Sequence, residues 1–421
     1  VADKIRDLKD LRAARIEECT RLEKIDKAAA RKRRGEYMAE ARDLRAEKDL
    51  LFRDRLATIS DGILADIDSG GFVWGLSQGK LARGKRTYRV AVDNRTYFAA
   101  KQVEASLGQL RYEGMPDRHA IARQLREALD GPLPRCVARL DIESYFESIP
   151  HARLVRSLRE TRRVPSSVVT LVSGLLREFA AITGQARGVP RGVGMSSLLA
   201  EFYVRELNVR MRSHDGVLYF ARYVDDMIVI TGDEVSLTDA ERQVRRLVEA
   251  LGLRLNPAKT ERRLSISKPW ELSQSITFLG YEFRKDGGNS AVRMPRTVVN
   301  RYQERIEDAF HAWDRASPRT SGHDGLLLDR VRFLSGNLRL SGGRARAVTG
   351  AYFNQPALTD VEDLRGLDDF LRTHIDKRPA LPHRLRTGLA SCRFEEGFTD
   401  RTFYSMSPER LQRCVAVWRD A

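Results

Sequence analysis

Cysteine is scarce and scattered. Cys19, Cys136, Cys392 and Cys414 are the only four in 421 residues, with no C-x-x-C spacing, so neither a disulfide framework nor a zinc site is indicated. No run of about 18 apolar residues that would span a membrane is evident, and no secretory leader is visible. No membrane partner is therefore expected, and the cytoplasm is the expected location. Acidic residues fall short of basic ones, 58 against 74, leaving a net charge of +16 and a pI near 9.9. Such a balance suits a polyanion and electrostatic capture of nucleic acid. It does not separate RNA from DNA, or a polymerase from a passive binder.

What is present divides into three regions. Residues 1–65 are densely charged, with Ile5, Leu8, Leu11, Ile16, Leu22 and Ile25 at roughly helical spacing and a basic Arg31-Lys32-Arg33-Arg34 cluster. A long solvated helix or helical hairpin is expected there, with a grip on structured RNA or a neighbouring protomer left open. Residues 66–290 hold the strand-like segments and the motifs. Within them, Thr87 to Val92 and Thr96 to Ala99 read as a hairpin turning at Asp93-Asn94-Arg95. Residues 291–421 read as helical, with apolar stripes at Val299, Tyr302, Ile306, Phe310 and Trp313 and at Val361, Leu364, Leu367, Leu371 and Ile375. Ser407 followed by Pro408 marks the start of a final helix.

Chemistry concentrates in Arg222-Tyr223-Val224-Asp225-Asp226-Met227-Ile228-Val229-Ile230. Two adjacent carboxylates sit between apolar, β-branched runs, which reads as a hairpin with negative charge at its tip. Adjacent aspartates repel unless a cation neutralises them, and a divalent metal is the usual solution. Upstream, Cys136-Val137-Ala138-Arg139-Leu140-Asp141-Ile142 is a strand-like run with Asp141 near its end. Asp141 facing the hairpin tip would complete a three-carboxylate Mg²⁺ site suited to phosphoryl or nucleotidyl transfer. Gly188, Gly192 and Gly194 would let backbone approach a nucleotide. A helix is expected from Met195, with Leu198, Leu199, Phe202, Tyr203 and Leu207 on its buried face.

Five segments in order resemble the motifs of reverse transcriptases, in particular the compact bacterial group of retron, group II intron and phage-defence enzymes. They are Arg139 to Phe146; Gly188 to Leu199; Tyr223-Val224-Asp225-Asp226; Leu251 to Thr260; and Ile276 to Phe283. The resemblance implies an α/β (α+β) right-hand polymerase of fingers, palm and thumb. Its reaction would be RNA-directed synthesis of a DNA product from dNTPs, with Mg²⁺, or Mn²⁺ as an alternative. Asp141, the Ile142 backbone and Asp225 would ligate the metals, with Asp226 in support. Phe146 would exclude a 2′-hydroxyl. Lys259 would protonate the leaving pyrophosphate, a solvated surface lysine being the alternative. Arg191 and Gly192 would line the substrate, although the family usually has glutamine where Arg191 stands.

Lys101, Arg111, Arg118 and Arg123 are candidate cations for the triphosphate, and nothing in the sequence selects among them. Likewise Tyr37, Tyr352 and Tyr404 are available as priming hydroxyls without one being marked. Val348-Thr349-Gly350 resembles a retron tripeptide but lies about seventy residues beyond the position the resemblance requires. Asp117 to Ile121 and Arg332 to Leu338 resemble the type 3 defence branch. That resemblance implies a structured noncoding RNA partner and a second reverse transcriptase or a homo-oligomer. Two other functions fit the same residues: template-independent DNA synthesis of the abortive-infection kind, favoured by Arg191, and a catalytically silent RNA-binding scaffold.

Overall fold

The computed structural model describes residues 14–21, 23, 25–82, 84–110, 117–130, 135–263, 275–286, 289–339 and 348–418. Ile5, Leu8, Leu11, Leu22 and Arg111 lie outside the described residues. The chain forms two compact units, each discontinuous in sequence. One comprises Val1–Tyr112 with Ser144–Tyr203, the other Glu113–Glu143 with Val204–Ala421.

In the first unit the charged N-terminal region folds as the helix Lys27–Asp68, N-capped by Asp26, whose carboxylate accepts from the Ala28 and Ala29 amides at 2.8 and 3.2 Å. Only Ala30, Ile63 and Ile67 are buried along it, the signature of a solvated helix. A two-stranded antiparallel hairpin follows, β1 (Ser77–Ala82) and β2 (Lys85–Arg89). This corrects the hairpin expected at 87–99. Asp93 does not turn a strand but caps the helix Asn94–Gln109, accepting from the Thr96 amide at 2.9 Å, while the Thr96 hydroxyl donates to the Ala91 carbonyl at 2.6 Å. Asp serves turns and N-caps by the same side-chain chemistry.

The core of this unit is the helix Ser166–Thr183, burying Val168, Val169, Leu171, Val172, Leu175, Leu176 and Phe179. By length and composition it is apolar enough to cross a membrane. Its Glu178 carboxylate accepts from the Trp74 and Leu76 amides at 2.6 and 2.9 Å, however, and Trp74 is fully buried. That is the role of a core helix. The helix expected from Met195 is Gly194–Tyr203 and stops there, so Leu207 is buried on the separate helix Arg205–Arg212 of the second unit.

The second unit is built on an antiparallel sheet in the order β4-β5-β3-β6, from β3 (Cys136–Asp141), β4 (Val217–Tyr223), β5 (Asp226–Thr231) and β6 (Glu261–Arg263). Met227 to Ile230 are fully buried, so β5 reads as a continuous apolar run rather than an alternating one. The helix Arg118–Leu129 packs Ile121, Ala122 and Leu125 into the same core, which extends through β7 (Ser275–Phe278), β8 (Tyr281–Asp286) and β9 (Asn289–Arg293). The stripes predicted downstream form the helices Arg296–Asp314 and Glu362–Asp376, with Ile306, Phe310, Leu367 and Leu371 in that core. Ser407 caps Pro408–Ala416 through the Arg410 amide. A small sheet of β10 (Asn337–Arg339), β11 (Val348–Gly350) and β12 (Phe403–Tyr404) completes the unit. The α/β class expected of a palm-based polymerase is the class observed, with the four-stranded sheet as its palm element.

Candidate active site

The β4–β5 hairpin places Tyr223 opposite Asp226, leaving Val224 and Asp225 as a two-residue loop. Val224 has φ +60°, an unusual conformation for a β-branched residue. The Arg222 guanidinium, only 3 % exposed, holds that turn by donating to the Val224 carbonyl at 2.7 Å and to Asn208 Oδ1 at 2.9 Å. Backbone strain of this kind costs about 1–3 kcal/mol and survives only where its surroundings over-determine it.

Asp141 lies directly opposite Asp226 in the β3–β5 register. Its neighbourhood is fastened by backbone bonds: the Ile142 amide donates to the Asp225 carbonyl at 3.1 Å, and the Asn256 amide to the Asp141 carbonyl at 2.8 Å. The buried Asp141 carboxylate accepts from Lys259 Nζ at 3.0 and 3.1 Å, on a lysine side chain that is 56 % exposed. The Asp226 carboxylate is held by both arms of Arg139, at 2.9 and 2.8 Å. Burial pushes the Asp226 carboxyl up against the pull of Arg139, while the hydrogen bond to Asp226 raises Arg139. Asp225 has no ion-pair partner among the described residues. Burial is the main influence raising its carboxyl; a hydrogen bond from its own backbone amide opposes the rise, the charges of Asp141 and Asp226 add to it, and Lys259 opposes it further.

Among the described residues, no three or more His, Cys, Asp and Glu side chains are gathered closely enough to hold a metal ion as they stand. Cationic side chains stand on two of the three carboxylates instead. The donors still fit a hard divalent ion, being carboxylate oxygens of Asp141 and Asp225 with the Ile142 carbonyl next in the chain. The raised carboxyl of Asp225 is the position where added positive charge would be most favourable.

In the first unit the loop between Gly188 and Gly194 lies against β2, where the Tyr88 amide donates to the Arg191 carbonyl at 2.7 Å. Gly192 has φ +93°, and a Cβ there would come within 2.9 Å of the Tyr88 carbonyl oxygen, so only glycine fits. Arg191 forms a two-armed bond to Glu147 at 2.6 and 3.1 Å, and its guanidinium sits 4.7 Å from the Phe146 ring centroid. Lys85 adds a second cation 3.8 Å from Glu147. Burial pushes the Glu147 carboxyl up, but Arg191 and Lys85 outweigh it and the net direction is down.

The described candidate triphosphate cations are divided between the two units. Lys101, in the first unit, pairs with Glu104 on its own helix. Arg118, in the second unit, donates to the Asn354 carbonyl, and the exposed Arg123 lies one turn further along the same helix. Arg139, Arg222 and Glu147 were not singled out from sequence. Arg139 had a usable signal, because it stands two residues before Asp141 and so shares its face of the strand.

Residues 85–283 match the family model described as reverse transcriptase (RNA-dependent DNA polymerase). No curated protein matches the sequence significantly. Solved structures similar to the chain include three of telomerases from two Candida species. A C-terminally truncated apo telomerase of Candida tropicalis aligns at 16 % identity and TM-score 0.34, covering 47 % of this chain and 45 % of that one. A Candida albicans telomerase in complex with a fragment of telomeric RNA aligns at 12 % and 0.36, covering 76 % and 54 %. The apo Candida tropicalis enzyme aligns at 12 % and 0.40, covering 76 % and 52 %. The chain thus spans about half the length of these proteins. These likenesses are too distant to carry an argument. Asp141, Phe146, Arg191, Asp225, Asp226 and Lys259 all fall within the segment that matches the reverse transcriptase model.

Proposed function

We propose that the chain is an RNA-directed DNA polymerase that extends a 3′-hydroxyl with dNTPs. The observation that carries this reading is the half-buried Asp225 carboxylate, without an ion-pair partner among the described residues, beside Asp141 at adjacent strand ends inside the matched segment. Divalent ions, Mg²⁺ by the donor chemistry or Mn²⁺ in its place, would supply charge neutralisation and a more acidic attacking hydroxyl. Asp141 and Asp225 with the Ile142 carbonyl would hold them. Arg139 keeps Asp226 oriented, and Arg222 keeps the tip from relaxing. Lys259, once released from Asp141, brings a proton donor to the leaving-group side. Phe146 and Gly192 would face the nucleotide sugar and backbone.

Motif resemblance supports the finer assignment to the bacterial defence group, acting in the cytoplasm on a structured noncoding RNA with a second reverse transcriptase or another copy of itself. Template-independent synthesis is the second reading. It is favoured by Arg191, whose guanidinium is engaged by Glu147 where the family usually has glutamine. The test is primer extension on an RNA template with Mg²⁺ and labelled dNTPs, against an Asp225→Ala/Asp226→Ala control. Complementary DNA lost in the control supports the proposal. Incorporation that persists after nuclease removal of all nucleic acid supports the second reading. RNA binding with no incorporation in either protein would leave only a scaffold.

A further inference from the structure

In the second unit, far along the chain from the carboxylates, four aromatic rings form a connected cluster. Tyr352 lies 5.2 Å from Phe353 and 5.5 Å from Phe398, and Phe353 lies 5.6 Å from Phe403 on β12, centroid to centroid. Arginines lie over these rings and over the neighbouring one. The Arg401 guanidinium is 4.2 Å from the Tyr352 centroid, Arg339 is 5.2 Å from Phe403, and Arg332 is 5.3 Å from Tyr404. A cluster of this kind could be ordinary packing, but three features set it apart. Phe403 is 41 % exposed, although it belongs to a strand. Arg339 and Arg401 are exposed, and neither forms an ion pair among the described residues. Arg401 has φ +53°, a conformation that costs a non-glycine residue energy and is retained here beside the Asn337–Thr402 backbone bond at 2.9 Å.

The support beneath is stiff. A Cβ on Gly397 would fall 1.8 Å from the Ser335 carbonyl oxygen, so the helix Phe394–Thr399 and the end of the helix Ser321–Ser335 meet backbone to backbone. A rigid surface with one exposed ring, half-buried rings beside it, and exposed guanidiniums that form no ion pair among the described residues, Arg401 donating to the Tyr352 hydroxyl at 3.1 Å, matches one ligand chemistry best. Each base of a single-stranded nucleic acid has a π-face for stacking, and each phosphate takes an arginine. An acidic peptide would use the cations but leave the rings idle. A duplex would use the cations while keeping its bases stacked on one another.

We propose that Phe403, Arg339, Arg401 and Tyr352 form a docking platform for single-stranded nucleic acid, separate from the carboxylate site. The platform rests on the proposed polymerase reading only in taking nucleic acid as the partner. Its test is fluorescence anisotropy of the full chain with labelled 20-nucleotide single-stranded RNA, the DNA equivalent, an RNA duplex and a poly-glutamate peptide, across a salt series. Circular dichroism checks each variant for folding. Phe403→Leu, which keeps an apolar side chain but removes the ring, is expected to weaken single-strand binding about 5- to 150-fold. Phe403→Trp should retain it. Arg339→Ala/Arg401→Ala should weaken binding and flatten the salt slope by about 0.7 per lost phosphate contact, while Arg245→Ala, on the exposed face of another helix, should do neither.

The RNA and DNA arms tell which strand the platform prefers. Unchanged single-strand affinity in Phe403→Leu, equal losses for duplex and single strand, or equal binding of poly-glutamate would each overturn the proposal. A chain that binds as described but never extends a primer would contradict the polymerase reading and leave the platform standing.

Discussion

Two acidic groups, one in each unit, have met burial in opposite ways. In the first unit Glu147 is matched by Arg191 and Lys85, and its carboxyl is lowered despite partial burial. In the second unit Asp225 is likewise half-buried, but beside two further carboxylates; it has no ion-pair partner among the described residues, and its carboxyl is raised. Charge already compensated inside the protein holds a shape. Charge left uncompensated is held for something that arrives later, at a cost in stability. Asp226 shows the same contrast within the site: it sits opposite Asp141, yet a two-armed arginine already occupies it.

The sharpest way to break the comparison is to remove the uncompensated group. Asp225→Ala is expected to lower dNTP incorporation by about 10³-fold or more, since metal-assisted stabilisation is worth several kcal/mol. Single-turnover incorporation measures it. Asp225→Asn should lose activity too, but gain stability. The sign follows from linkage: a carboxyl raised in the folded state opposes folding where it is ionised, and that opposition fades as pH falls below its folded value. The variant should therefore melt above wild type at neutral pH, with the gain disappearing in acid.

Breaking a compensated pair should act on stability first. Arg139→Ala and Asp226→Ala should each destabilise by about 1–3 kcal/mol, because each leaves a largely buried charge unpaired. The double variant should cost less than the sum of the two, as urea melts in a double-mutant cycle would show. Val224→Gly should stabilise by about 1 kcal/mol by relieving the left-handed backbone, read as a rise in melting temperature, while activity falls if the strained tip positions Asp225.

The smallest effect is expected at Arg191. Arg191→Gln should change the KM for dNTP by less than about tenfold, comparable with the loss of one charge-assisted hydrogen bond. The Glu147 contribution to stability runs opposite to that of Asp225: it is present above the ordinary carboxylate range and lost as pH falls through its lowered folded value. Glu147→Gln should therefore narrow the difference from wild type as the solution is acidified, in melts from pH 7 to pH 3.

Much of the architecture could be read before the structure. Short apolar, β-branched runs marked β3 and β5, and period-3.6 stripes marked the helices Arg296–Asp314 and Glu362–Asp376, because burial of one helix face dictates them. The Asp-Asp hairpin stood out because Ile228, Val229 and Ile230 favour no other state. What escaped depends on contacts distant in sequence. Arg139 finds Asp226 only through strand register, across 87 residues, and Glu147 finds Arg191 across 44. Val224 carries no glycine to announce its left-handed turn, since Arg222 supplies the restraint from outside the loop. Asp93 was misread because an aspartate before a helix and an aspartate in a turn look alike locally. Nor can sequence spacing show which acids stand beside a basic partner, as Asp141 does beside Lys259 and Asp226 beside Arg139.

Titration of Mn²⁺ into the full chain, followed by the loss of the free-ion paramagnetic resonance signal, tests the central contrast directly. Wild type and Asp226→Asn are expected to bind the ion with similar affinity, and Asp225→Asn to lose binding by tenfold or more, on the order of one unpaired carboxylate's contribution. Equal binding by wild type and Asp225→Asn, or loss in Asp226→Asn alone, would contradict the account.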